Sequence, residues 1–113
     1  IYCSVISSGL VQAPKRIDAI ATPATQGCPV LSNDGLTLYF CDSRDEPAQD
    51  IWMTTRATLS DPWRAPVPLP GVINTPGSLE QPAWISEDQC TMYITKSVGS
   101  PSNFDIWLAT RQP

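Results

Sequence analysis

The 113-residue sequence has no histidine. That absence removes the Ser-His-Asp and Cys-His nucleophile systems, the commonest general base and every His-ligated metal site. Charge is scarce: 16% of residues are charged, and seven basic against eleven acidic residues leave a net charge of −4. A chain so poor in lysine and arginine cannot build the broad basic face that holds nucleic acid. Long apolar runs are missing too, so no segment reads as a membrane-spanning helix. Apolar residues as a class are plentiful, at 42% with four tryptophans among them, and there are twelve prolines besides. The apolar share supports a packed core rather than disorder. The prolines argue against long helices. The length suits one domain. The chain starts at Ile1 rather than Met, and its first ten residues lack the basic start of a secretory leader. A processed chain or an excised piece, with any leader removed, is therefore expected.

Self-similarity organises the sequence. Residues 30–40 and 84–94 align at an offset of 54, matching Ser32 with Ser86, Asp34 with Asp88, Thr37 with Thr91 and Tyr39 with Tyr93. Asp50-Ile51-Trp52 returns as Asp105-Ile106-Trp107, and Thr55-Arg56 as Thr110-Arg111, at an offset of 55. A residue inserted in a loop accounts for the change. A fainter copy lies at the start. Ile1-Tyr2 takes the phase of Ile51-Trp52, Ala13-Pro14 and Ile17 that of Ala65-Pro66 and Leu69, and Thr22-Pro23 that of Thr75-Pro76. The expected organisation is one unit over 1–113, made of a partial repeat 1–27, a repeat 28–81 and a repeat 82–113.

Each period reads as short strands. Residues 30–32 are an apolar run, Asp34-Gly35 suits a two-residue type I′ turn, and 36–41 return with Leu36, Leu38 and Phe40 on one face. Residues 51–56 give a third strand after a polar loop. Residues 67–69 give a fourth, which Pro66, Pro68 and Pro70 confine to a sheet edge. Gln89 stands where the second copy's turn would hold glycine, so that turn is expected to differ.

These residues resemble the TolB-type, WD-like β-propeller repeat. The first copy carries Leu31, Ser32, Asp34, Gly35, Leu38, Tyr39, Phe40, Ser43, Arg44, Asp50, Ile51, Trp52 and Arg56. The second carries Pro82, Ile85, Ser86, Asp88, Tyr93, Asp105, Ile106, Trp107 and Arg111. The resemblance implies an all-β fold of about two four-stranded blades per chain, with residues 30–32 and 84–86 innermost. It implies binding of protein, peptide or glycan, or a gating role beside a hydrolase, because the family's lyase members lean on histidine-rich metal sites. A pair of blades does not close a ring of about four to eight. Closure needs either self-association into a cyclic oligomer or a longer parent chain. Ile1 to Ser4 and Asp105 to Ala109 share one phase, so they would compete for one strand position or stitch one blade from both termini.

There are four cysteines: Cys3, Cys28, Cys41 and Cys90. A two-residue Asp34-Gly35 loop would set 33 opposite 36, 31 opposite 38 and Cys28 opposite Cys41. Opposed side chains have Cβ atoms about 4.5–5.5 Å apart, near disulfide geometry. A Cys28–Cys41 disulfide is therefore expected, with two buried thiols as the alternative. Such a bridge would mark an exported protein, periplasmic or extracellular. No pair has CxxC spacing, which argues against zinc.

Asp42, Asp45, Glu46 and Asp50 crowd one loop with oxygen donors of the kind Ca²⁺ takes. Their spacing is not that of an EF-hand, and the second copy has Ser97, Gly99, Ser100 and Ser102 there. A solvated acidic loop is the simpler reading, and no cofactor is expected. Asp50 and Asp105, and Arg56 and Arg111, recur at fixed phase, which favours structural hydrogen bonds and pairing between blades. Trp52 and Trp107 share a phase and are expected to pack between blades. Trp63, flanked by Asp61 and Arg64, and Trp84 on the innermost strand are the candidate ligand platform, with plain packing as the competing role. The composite expectation is a non-catalytic module binding protein, peptide or glycan. The alternatives are a multivalent lectin-like homo-oligomer, and an accessory propeller piece of a larger hydrolase.

Overall fold

Apolar residues at alternate positions between proline- and glycine-marked turns dictate short strands, and strands are what form. The computed structural model describes residues 1–45, 48–99 and 103–112. Its elements are β1 (Tyr2–Cys3), β2 (Ile6–Ser7), β3 (Leu10–Val11), β4 (Lys15–Arg16), a 3₁₀ turn (Asp18–Ile20), β5 (Gln26–Leu31), β6 (Thr37–Asp42), β7 (Asp50–Thr55), β8 (Val67–Pro68), β9 (Leu79–Ile85), β10 (Thr91–Ser97) and β11 (Phe104–Thr110). The fold is all-β. Four antiparallel sheets form, ordered β5-β6-β7-β8, β9-β10-β11, β1-β4 and β2-β3, and none closes on itself. Among the described residues no helix is long and apolar enough to cross a membrane.

The first hairpin turn is built differently from the expected type I′ loop. Ser32 C=O accepts from Gly35 N–H at 2.9 Å, so Asn33 and Asp34 are its central residues and Gly35 follows in the left-handed region at φ +73°. The cause is a side-chain network. The Ser32 hydroxyl donates to Asp34 at 2.6 Å, Asp34 accepts from Leu36 N–H at 2.9 Å, and Thr37 N–H donates to the Ser32 hydroxyl at 2.9 Å. The second turn repeats this network in Ser86, Asp88, Cys90 and Thr91, with Gln89 forced to φ +56°. The expected departure at Gln89 is thus corrected. A two-residue turn with both residues at positive φ does occur, at Ser8-Gly9 between β2 and β3.

Register holds near the turn and slips beyond it. Leu31 faces Leu38 as expected, and Val30 faces Tyr39, but Gly27 rather than Cys28 faces Cys41. The cause is a β-bulge between Gly27 and Val30, which twists the strand and frees one residue from pairing. The second sheet bulges between Tyr93 and Ile94. The expected Cys28–Cys41 disulfide is therefore corrected: all four cysteines are free thiols. Cys28 lies exposed in the bulge at φ +48°, while Cys41 is buried. Burial, then the neighbouring Cys28 thiol, pushes the Cys41 thiol up to about 12. The bridge that argued for export is absent.

Two apolar clusters hold the sheets together. Tyr39 and Ile51 on one face of β5–β8 pack against Ile85, Met92 and Ile94 of β9–β11. On the other face, Leu38, Phe40 and Trp52 pack against Ile20, with Ile1, Ile17 and Trp63 beside them. The four-stranded sheet is thus sandwiched between the three-stranded sheet and the N-terminal segment. Trp107, expected to pack like Trp52, is 50% exposed against 6% for Trp52. Trp63 and its loop pack beside Trp52, whereas among the described residues Trp107 is met by the Lys96 ammonium, 5.5 Å from its ring centroid.

Candidate functional site

The loop after β7 folds back over its own sheet and sets the first half of the site. Arg64 N–H donates to Thr55 C=O at 2.9 Å, and the Thr54 hydroxyl donates to Arg64 C=O at 2.6 Å. These bonds lay Trp63 against the Leu38, Phe40 and Trp52 cluster, half-buried. Arg56 closes over it, its guanidinium carbon 4.4 Å from the ring centroid. Arg56 Nε donates to Gly35 C=O at 2.9 Å and its terminal nitrogen to Leu59 C=O at 3.0 Å. Leu59 sits so close to Gly35 that a Cβ there would meet it at 2.8 Å. A side chain at that turn would have to push the end of the exposed Leu59 side chain aside, and would sit in the left-handed region as well.

One repeat further on, the same place is hollow. A cavity of about 340 Å³ lies between the two larger sheets. Tyr39, Met53, Leu69 and Ile73 form one wall, and Ile85, Met92 and Ala109 the other. Arg111 and Gln89 also line it, and they hold the phases of Arg56 and Gly35. Arg111 N–H donates to Cys90 C=O at 3.0 Å, as Arg56 N–H donates to Leu36 C=O at 3.0 Å. Burial pushes the Tyr39 hydroxyl up, and the nearby Arg111 charge partly offsets this. The wall is apolar and the lining cation is a guanidinium. Such a surface can receive an aromatic or aliphatic group and stack a cation on it.

Of the sequence-based site residues, Trp63 is packed under Arg56. Arg64 is exposed and held through its backbone. Asp61 is exposed and accepts from the Thr58 hydroxyl at 2.9 Å within its own turn. Trp84 stands on the other large sheet, 48% exposed, its ring 5.6 Å from that of Tyr93. These four residues are not gathered into one platform. Arg56 and Arg111 were expected to pair with acids; Arg56 instead binds carbonyls and an indole.

In the acidic loop, Asp42 is fully buried. It accepts from Arg44 at 2.6 Å and from Gln26 at 2.6 Å, and Arg44 lies 4.3 Å above the Trp52 ring. Asp42 is thus committed to holding the loop. Asp50 faces Asp42 across the ladder, Asp45 is exposed, and Glu46 lies outside the described residues. Among the described residues no group of three or more His, Cys, Asp or Glu side chains is placed to hold a metal ion.

Sequence reasoning missed the cavity residues. The available signal was the shared phase of Arg56 with Arg111 and of Gly35 with Gln89, which places the lining of the cavity beside that of the Trp63 seat. Comparison with protein-family models, curated proteins and solved structures finds no match to this chain.

Proposed function

We propose that the two larger sheets are propeller-type blades, with the N-terminal pair the outer part of a third, and that the chain is a non-catalytic peptide-binding module. The observation that carries this is the contrast between one seat filled by Trp63 under Arg56 and the same seat hollow beside Arg111. The ligand is an extended segment carrying a large apolar side chain, as the chain's own filled seat carries Trp63. Its backbone adds to the outer edge of β11, as β8 adds to β7 with Pro68 opposite Trp52 and Val67 opposite Met53. Its apolar side chain enters the cavity and packs on Arg111. A volume near the low end of ligand pockets, about 300–1,000 Å³, suits a single side chain. The lining is mostly aliphatic, which suits holding a side chain.

The test is a labelled peptide spanning residues 57–69, the chain's own seat-filling segment, titrated with the protein and followed by fluorescence anisotropy. Binding is expected, and replacing the peptide's tryptophan by alanine should weaken it about thirtyfold or more, as loss of an anchor side chain does. Ala109→Trp, which fills the cavity from within, should abolish it. Equal binding by the alanine peptide would refute the reading.

A further inference from the structure

Resting on that peptide-binding reading, we infer that the natural occupant is a second copy of this chain, docked head to tail. Three features left uncovered among the described residues match three of the chain's own surfaces. The first is a sheet face. Trp84, Tyr93, Ile106 and Leu108 hold the phases of Val30, Tyr39, Ile51 and Met53. The latter four belong to the contact between the large sheets, whereas Trp84, Tyr93, Ile106 and Leu108 are 48%, 44%, 79% and 59% exposed. The face that would receive them is also uncovered. Leu31 is 52% exposed, while Ile85 at its phase is 8% exposed against the four-stranded sheet.

The second is a strand edge. β7 carries β8 on its outer edge, whereas among the described residues β11 carries none. β4 has the form of the missing strand. On β1 it sets Arg16 opposite Tyr2 and Lys15 opposite Cys3, the register of Pro68 and Val67 on Trp52 and Met53. Ile17 N–H donates to Ile1 C=O at 3.0 Å, as Leu69 N–H donates to Ile51 C=O at 2.9 Å. The third is the cavity itself. The β2–β3 hairpin stands where Trp63's loop stands: Gln12 N–H donates to Val5 C=O at 2.9 Å, as Arg64 N–H donates to Thr55 C=O. Its apolar side chains Ile6, Leu10 and Val11 are 70–73% exposed. In the assembly, β4 of one copy leaves β1 and pairs with β11 of the next, Arg16 opposite Trp107 and Lys15 opposite Leu108. The hairpin then enters the neighbour's cavity, and the neighbour's Trp84–Tyr93 face covers Leu31. Such a heterologous contact closes into a ring or grows into a fibre.

Native mass spectrometry of the full chain tests this. A closed oligomer of about two to four copies is expected, giving the four to eight blades at which propellers close. Trp84→Lys and Tyr93→Lys, both at exposed sites, should each give a folded monomer, with self-association weakened about a hundredfold. A chain bearing Lys15→Cys and Leu108→Cys should form a disulfide between those positions of different copies, mapped by mass spectrometry of the digest. A wild-type monomer at every concentration overturns the inference. So does an oligomer that both lysine variants leave intact and that yields no link between positions 15 and 108. The peptide of residues 57–69 separates the two claims. It should bind the monomeric variants more tightly than the assembled chain, where the neighbour's hairpin competes. Peptide binding by a strictly monomeric wild type would leave the module reading standing and remove the self-partner.

Discussion

Gln89 holds a left-handed backbone at φ +56° in a turn whose other copy has Gly35. A side chain in that region costs about 1–2 kcal/mol, and glycine removes most of it. Gln89→Gly should therefore raise stability by ~1 kcal/mol, read as a higher urea midpoint at unchanged slope. Gly35→Gln should lower stability by about 1–2 kcal/mol through the same backbone strain, and it must also push aside the end of the exposed Leu59 side chain, which a Cβ would meet at 2.8 Å. The same turns set an acid dependence. The Ser32 and Ser86 hydroxyls, then the Leu36 and Cys90 N–H groups, hold the Asp34 and Asp88 carboxyls below their ordinary range. A carboxyl lowered on folding binds protons more tightly in the unfolded chain. Its stabilisation is thus present above the unfolded value, near pH 4, and fades as pH falls through the folded one. Urea midpoints should be flat from neutral pH down to about pH 5 and fall below it. The double variant Asp34→Asn, Asp88→Asn should flatten that acid limb. Cys41, buried and with its thiol raised to about 12, should resist alkylation at neutral pH until the chain unfolds, whereas exposed Cys3 and Cys28 react at once.

At the scale of elements, the strands were readable where alternation and turn residues agreed. Segments expected at 36–41, 51–56 and 67–69 form at 37–42, 50–55 and 67–68, and the proline-flanked one is at an edge. What the sequence concealed was irregular. The bulge before Val30 is marked by Gly27 and Pro29, residues that also suit an edge or a turn, and it moved Cys28 away from Cys41. The Ser8-Gly9 hairpin is too short to show alternation. Asn74 was likewise overlooked. Its side-chain oxygen accepts from Ile51 N–H at 2.9 Å, while its amide nitrogen donates to Ile51 C=O at 2.9 Å and Leu69 C=O at 3.0 Å. The amide thereby extends the ladder beyond the end of β8, in a buried position. Asn74→Ala leaves a buried N–H and C=O unpaired and should lower stability by about 1–3 kcal/mol, measured by chemical denaturation. Asn74→Asp should be no milder, since it keeps the acceptor but loses the donor.

At the scale of the molecule, the repeat in the sequence returns as repeated registers, and repeated registers predict which faces want partners. Tyr39 lies between Val30 and Met53, and Tyr93 between Trp84 and Leu108, yet only the first row is covered. The candidate site follows from the same comparison. Trp63 and Trp84 do not repeat each other in the sequence, and only the packing of Trp63 under Arg56 points to the seat beside Arg111. Trp84, a candidate ligand platform in the sequence, stands half-exposed beside Tyr93 at the phase that Val30 holds in the first large sheet. Both methionines of the chain, Met53 and Met92, line the cavity from opposite walls. Methyl-labelled methionine thus gives two NMR signals, each a reporter of the site. The decisive measurement is a titration of the Tyr93→Lys chain, whose cavity no neighbour covers, with the peptide of residues 57–69. An aromatic side chain entering beside Arg111 must shift both methyl signals through its ring current, and the peptide with alanine for tryptophan must shift neither. Binding that leaves both methyls unmoved would contradict the account.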